Sequence, residues 1–192
     1  LFVLVFLRPG SATAGSRPIR VLVSLWVEQT LFLVASTALR TFDYVETYSL
    51  TNMRLTALIW MALVAVGLAS ILWRLLAAKS SGWLVNANAG AVAAVLAICS
   101  VVDLSAVSAA WNIRHAREVG GRGVPLDLCY MGGLGGAAVV SLAELDRMPI
   151  PEDLRRRAAV VRQHLANELR RNGESWRSWT WRDTRRLQRL EA

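Results

Sequence analysis

Three long apolar stretches occupy the first half of this chain, and they decide what it can fold into. They run from about Ile19 to Leu39, from about Leu55 to Ala77, and from about Trp83 to Val102 or Asp103. A helix needs roughly 20 apolar residues to cross the ~30 Å hydrocarbon core of a bilayer, so each stretch predicts one spanning helix. None shows the period-two alternation of a membrane β-barrel strand. A segment in hydrocarbon must satisfy its own backbone groups, and a helix does so without partners.

The 192 residues are 54% apolar with a mean hydropathy of +0.37, high for a soluble domain. The excess lies almost wholly before about residue 108. The expected division is a membrane region over 1–108 and a soluble or membrane-surface helical tail over 109–192. A further apolar run, Leu1–Leu7, is too short to span and stops at Arg8-Pro9-Gly10. No basic segment precedes it, so it reads as the last turns of a truncated leading span rather than a signal peptide. The whole is expected to be an all-α fragment of a polytopic membrane protein: three full spans, a truncated leading one and a helical tail.

Charge divides in the same way. The net charge is +8, Lys79 is the sole lysine, and 15 of the 22 basic residues lie from Arg114 onward with ten of the 14 acids. A basic tail beside a bilayer points to anionic lipid head groups as a partner. Nucleic acid is the less favoured partner, because acids are interspersed among the arginines. The positive-inside rule gives no orientation. Arg8, Arg17, Arg20, Arg74 and Lys79 on one side balance Arg40, Arg54, Arg114, Arg117 and Arg122 on the other.

Within the spans the conspicuous residues are Glu28 and Gln29, at the middle of the first. An ionisable group at mid-bilayer costs roughly 2.5–3.5 kcal/mol on insertion scales and normally faces a bundle interior or a watery cavity. Glu28, Gln29, Asn86 and Asn88 therefore form a candidate intramembrane polar site. One reading is a proton or ion relay, or a polar contact to a substrate. The plainer reading, which we favour, is a protonated Glu28 hydrogen-bonded to Asn86 or Asn88 on a neighbouring helix. Arg74, near a helix end, is placed to snorkel to the surface. Asp103 reads as an interfacial acid.

The connections carry less chemistry. Lys79-Ser80-Ser81-Gly82 permits only a tight antiparallel hairpin, flanked by Trp73 and Trp83. Asp43, Glu46, Arg40 and Arg54, in the longer connection Arg40–Arg54, can pair with one another at an interface. In the tail, Trp111–His115 reads as a helix end, Gly120–Gly123 as a loop, and Pro125–Asp146 as short helices broken at Gly132-Gly133 and Gly135-Gly136. That glycine-rich stretch lacks the strand and Lys-Ser/Thr of a phosphate loop. Pro151-Glu152-Asp153 starts a helix. Its Leu154, Ala158, Val161, Leu165 and Leu169 make one apolar face, and Arg170–Gly173 stops it. This face either lies on lipid or docks on the rest of the tail. Trp176, Trp179 and Trp181 cluster next, and Asp183 is placed to cap a final helix carrying Leu187 and Leu190.

His115 and His164 match no ligand spacing and read as surface histidines. Cys99 and Cys129 are not expected to pair, and neither has a catalytic partner nearby. We expect no catalytic residue, metal or cofactor. The leading expectation is a non-enzymatic membrane scaffold or signalling-type component, with the tail as the module for a protein partner. The alternative is a transporter or ion-coupled protein using Glu28, and a membrane-embedded enzyme comes third. Polar residues converging on Glu28 would favour transport, and an exposed groove in the tail would favour interaction.

Four segments carry a family resemblance. Tyr44–Leu55 leads into Ala57–Met61, and its Tyr48-Ser49-Leu50-Thr51 with Arg54 resembles an "aromatic, Gly-Leu-Thr, Arg" entry into a membrane helix, with Ser49 in the glycine position. Trp111-Asn112-Ile113 and Leu126–Met131 resemble an asparagine segment and an Asp-x-x-Tyr-Leu segment, and Trp176–Trp181 a C-terminal pattern. Together they resemble a bacterial multi-pass membrane family known as domain of unknown function 4173, with its 4153-type relatives. The resemblance covers about residues 20–190 and implies a larger multi-pass protein of the inner membrane of a bacterial cell, with no activity, cofactor or catalytic residue attached.

Overall fold

The computed structural model describes residues 16–191. The run Leu1–Leu7, taken above as a truncated span, lies outside them. Among the described residues the fold is all-α. Three helices are long and apolar enough to cross a membrane: α1 (Arg17–Tyr48), α2 (Asn52–Leu76) and α3 (Ser81–Val101). Shorter helices follow: α4 (Leu104–His115), α5 (Leu128–Gly133), α6 (Val139–Asp146), α7 (Glu152–Glu174) and α8 (Trp181–Glu191), with 3₁₀ turns at Arg117–Val119 and Gly135–Ala138. The chain divides into two bodies. One holds the residues up to Asp43 and Thr56–Val101, and the other holds Tyr44–Leu55 and everything from Val102 onward.

In the first body the long helices leave almost all their side chains uncovered. Val27 of α1, Arg74 of α2 and Leu84 of α3 are its only buried residues among those described. Such surfaces suit lipid, which needs no hydrophobic burial between helices. The α2–α3 turn is the tight hairpin expected. Ala78 takes a positive φ of 48°, the Lys79 amide donates to the Arg74 carbonyl at 3.1 Å, and Ser80 Oγ accepts from the Trp83 amide. Arg74 does not snorkel outward. It is 3% exposed and donates to Ser81 Oγ at 3.0 Å, folded beneath the turn. Its length allows this because the hairpin brings the Ser81 hydroxyl back over the last turn of α2.

α1 outruns its apolar stretch. It continues nine residues past Leu39 to Tyr48, through the polar Thr41–Tyr48. Those final turns join the second body, where Val45 is buried. Arg54 is likewise spent on backbone rather than on an acid. It donates to the carbonyls of Tyr48 at 3.1 Å and Ser49 at 2.5 Å, closing off the end of α1.

The second body has a conventional core. Ile113, Met131, Val139, Leu142, Leu145, Leu154, Leu165 and Leu169 meet in it. The apolar face of α7 therefore docks on the tail rather than on lipid, with Leu154, Ala158, Leu165 and Leu169 all buried. Asp103 is not a loose interfacial acid. It caps α4, accepting from the Ser105 and Ala106 amides, and forms an ion pair with Arg186 of α8. At α8 the capping roles differ from expectation. Thr180 Oγ1 accepts from the Asp183 amide and donates to the Asp183 carboxylate at 2.7 Å, so Thr180 is the cap and Asp183 the reciprocal partner.

Candidate functional site

The best-built polar cluster lies in the second body, around the short connection between α1 and α2. Ser49 and Leu50 leave the helix there, and Leu50 is buried. A buried peptide group needs partners. It finds them on α4: Asn112 Oδ1 accepts from the Leu50 amide at 2.7 Å, and Asn112 Nδ2 donates to the Leu50 carbonyl at 2.9 Å. The side-chain amide thus pairs with a peptide as a neighbouring strand would. Ser108, one turn earlier on the same face of α4, donates to the same carbonyl at 2.6 Å. Tyr130 of α5 completes the clamp. Its hydroxyl accepts from the Asn52 amide at 2.9 Å and bonds Ser108 Oγ at 2.9 Å, while Asn52 Nδ2 donates to Ser105.

Ser49 carries the backbone cost of this turn, with φ of 74°. Only glycine adopts that region freely, and an L-residue there costs about 1–2 kcal/mol. Glycine was the residue expected at this position. Ser49→Gly is therefore expected to stabilise the second body by about 0.5–1 kcal/mol after the entropy of a freer unfolded chain is subtracted. A denaturant titration of the reconstituted protein checks it, and a loss of stability would mean that the serine hydroxyl matters more than the strain.

Beside the clamp lies an open cleft of about 560 Å³, lined by Glu46, Thr47, Trp111, His115, Arg117 and Arg122. A small cavity of about 20 Å³, room for one water, continues inward to Ser49, Asn112 and Tyr130. The imidazole of His115 stacks on Trp111, with ring centroids 3.9 Å apart, and its Nδ1 meets the Trp111 carbonyl at 2.9 Å. The far wall is the 116–124 loop, folded back on the end of α4. The Gly121 amide donates to the Ala116 carbonyl and the Gly123 amide to the His115 carbonyl, both at 3.0 Å. These bonds satisfy carbonyls that a helix end leaves open. The Glu118 carboxylate fastens the loop by accepting from the Leu126 amide at 3.1 Å. Arg117 and Arg122 are thereby held exposed at the mouth, facing a cleft that also contains Glu46.

The intramembrane candidates do not assemble in this way. Glu28 and Gln29 are exposed on α1, Asn86 is exposed on α3, and no hydrogen bond joins either pair to the other among the described residues. Asn88 turns onto its own helix, donating to the Leu84 carbonyl at 2.8 Å. Glu28 instead shares one face of α1 with Arg17, Arg20 and Ser24, at spacings of three and four residues, and all four line an open groove of about 580 Å³ with Leu75 and Leu76. Arg20 donates across that groove to the Leu75 carbonyl at 2.7 Å. Because α1 is longer than its apolar stretch, its midpoint falls at Phe32-Leu33, so Glu28 lies toward the Arg17 end.

His164 is exposed and 3.4 Å from Glu168, and both cysteines are free thiols. Ser108 was not identified from the sequence, and Asn112 only by resemblance. A signal was present: Ser105, Ser108 and Asn112 recur at spacings of three and four along the otherwise apolar Leu104–Ile113 stretch of α4. Three of the four segments that carried the resemblance (44–55, 111–113 and 126–131) meet at this one clamp.

The sequence profile of the domain of unknown function DUF4153 matches residues 1–145, and the chain belongs to that family. This is the 4153 type of the resemblance drawn from the sequence. No curated protein matches the chain. No solved structure matches it either.

Proposed function

We propose that this DUF4153 member is a non-enzymatic scaffold or signalling-type component of the inner membrane of a bacterial cell, spanning it with α1–α3, whose C-terminal body receives a protein partner. One observation carries the reading: the open cleft where Glu46, His115, Arg117 and Arg122 meet solvent beside the clamped connection. The polar groups behind it are committed to backbone, to Leu50 and Asn52, which is the work of holding a surface in shape. The mouth combines two guanidinium groups with a stacked Trp-His pair, a surface that suits an acidic peptide segment with an apolar anchor.

A photo-crosslinking residue placed at Glu46 or Arg117 in cells is expected to yield a discrete protein adduct. One at Gln163, exposed on α7, is expected to yield none, and Arg122→Glu is expected to abolish the adduct at Glu46. Equal labelling from all positions would sink the reading. A second reading, ion-coupled transport, has the Arg17–Glu28 groove in its favour. It requires proteoliposomes of the wild-type chain to show an ion flux that Glu28→Gln abolishes. The scaffold reading expects no such flux.

A further inference from the structure

We propose that the exposed face of α8, with Trp176 and Trp179 just before it, is a seat for anionic phospholipid head groups. The orientation of α8 is set by its inner side. Leu187 and Leu190 pack on the core, and Arg186 is held by Asp103 and by Asp183 at 2.5 Å. That leaves Trp181, Arg182, Arg185, Gln188 and Arg189 exposed, positions that follow one stripe of a helix. Asp183 is on the docked side, and Glu191, at the last residue, falls off the stripe. The face presented outward is therefore three guanidinium groups, an indole and the Gln188 amide, with no carboxylate among its own side chains.

The approach to α8 continues the surface. Every residue from Asn172 to Arg182 is exposed, and Trp176, Trp179 and Trp181 are 83%, 53% and 61% exposed. Three large indoles uncovered within six residues mark an interaction surface rather than scattered surface hydrophobes. Arg177 lies over the Trp176 ring at 5.4 Å and Arg185 over Trp181 at 4.5 Å. Such pairs suit the head-group layer, where the indole meets the acyl boundary and the guanidinium meets phosphate. Charge complementarity selects an anionic surface. Chain continuity selects a lipid one, because the same chain carries three helices of spanning length and keeps a bilayer at hand. The proposal stands whichever site, the cleft or the Glu28 groove, carries the protein's activity.

The test uses the full chain with Cys99→Ser and Cys129→Ser, an environment-sensitive fluorophore at Gln188→Cys, and nanodiscs of phosphatidylcholine with or without phosphatidylglycerol. Phosphatidylglycerol is expected to brighten the label about twofold and shift it to the blue, an effect reversed by molar salt. Arg182→Glu with Arg185→Glu and Arg189→Glu is expected to abolish the response. Arg186, which holds the helix in place, is left intact. Trp176→Ser with Trp179→Ser is expected to reduce the blue shift while keeping the salt dependence. The salt titration of the protein with all three arginines keeps the test decisive if the charge-reversed chain misfolds. Identical emission in the two kinds of disc would overturn the proposal, as would a response elicited by RNA and not by phosphatidylglycerol.

Discussion

Replacing Asn112 with leucine is expected to destabilise the C-terminal body by about 1–3 kcal/mol, because it leaves a buried peptide N–H without a partner. Asn112 is 6% exposed and so is Leu50, and the leucine side chain would occupy the space where the acceptor stood, so water does not replace it without opening the site. The Leu50 carbonyl fares better, since Ser108 still donates to it at 2.6 Å. That asymmetry ranks the variants. Ser108→Ala removes one of two donors to the carbonyl and costs less. Asn112→Asp keeps an acceptor for the amide but turns a second oxygen on the Leu50 carbonyl, and is expected to cost at least as much as leucine. Hydrogen exchange at the Leu50 amide in nanodiscs reads the effect directly. The amide should be protected in the wild type and exchange at least tenfold faster in Asn112→Leu, since a factor of ten corresponds to ~1.4 kcal/mol of local opening. Unchanged protection would mean that the connection is held by something other than Asn112.

What could be read in the sequence is the part governed by local periodicity. Twenty-residue apolar stretches predict helices long and apolar enough to cross a bilayer, and the five apolar positions of α7 mark its docked face before any partner is known. The extension of α1 to Tyr48 was not legible, because Thr41–Tyr48 loses the apolar signal and its last turns belong to the second body, where Val45 is buried. Arg74 misled for a related reason. A lone arginine at a helix end normally reaches outward, and only the hairpin brings Ser81 back to meet it. The clamp is the hardest case. Asn112 and Leu50 stand 62 residues apart, and one partner is backbone, which carries no side-chain signature at all. Glu28 was conspicuous because a charge in an apolar stretch is costly. The residues that share its face of α1, Arg17, Arg20 and Ser24, were visible as a helical stripe, whereas Asn86 and Asn88 were chosen for their chemistry alone.

Gly121→Ala is expected to dismantle the cleft at a cost of about 2–3 kcal/mol, the upper part of the range for overpacking. A Cβ on Gly121 would lie 2.4 Å from the His115 carbonyl oxygen, 2.5 Å from its carbon and 2.7 Å from the Ala116 oxygen. These are backbone atoms at the end of α4, so no side chain can swing away to relieve the clash. The loop itself must lift, and it then loses the Gly121 bond to Ala116 and the neighbouring Gly123 bond to His115. Arg122 and Arg117 leave the mouth with it. The clamp on Leu50 draws on Ser108, Asn112 and Tyr130, none of them in the loop, and should persist. Gly133→Ala, where a Cβ meets nothing within 4 Å, is the matched control and is expected to be neutral. The two readouts separate the loop from the clamp: the Glu46 crosslink should vanish in Gly121→Ala while the Leu50 amide stays protected. If the crosslink survives, the partner does not depend on the 116–124 wall. If Leu50 protection falls as well, the loop and the clamp are one cooperative unit, and the cleft cannot be altered without releasing the connection between α1 and α2.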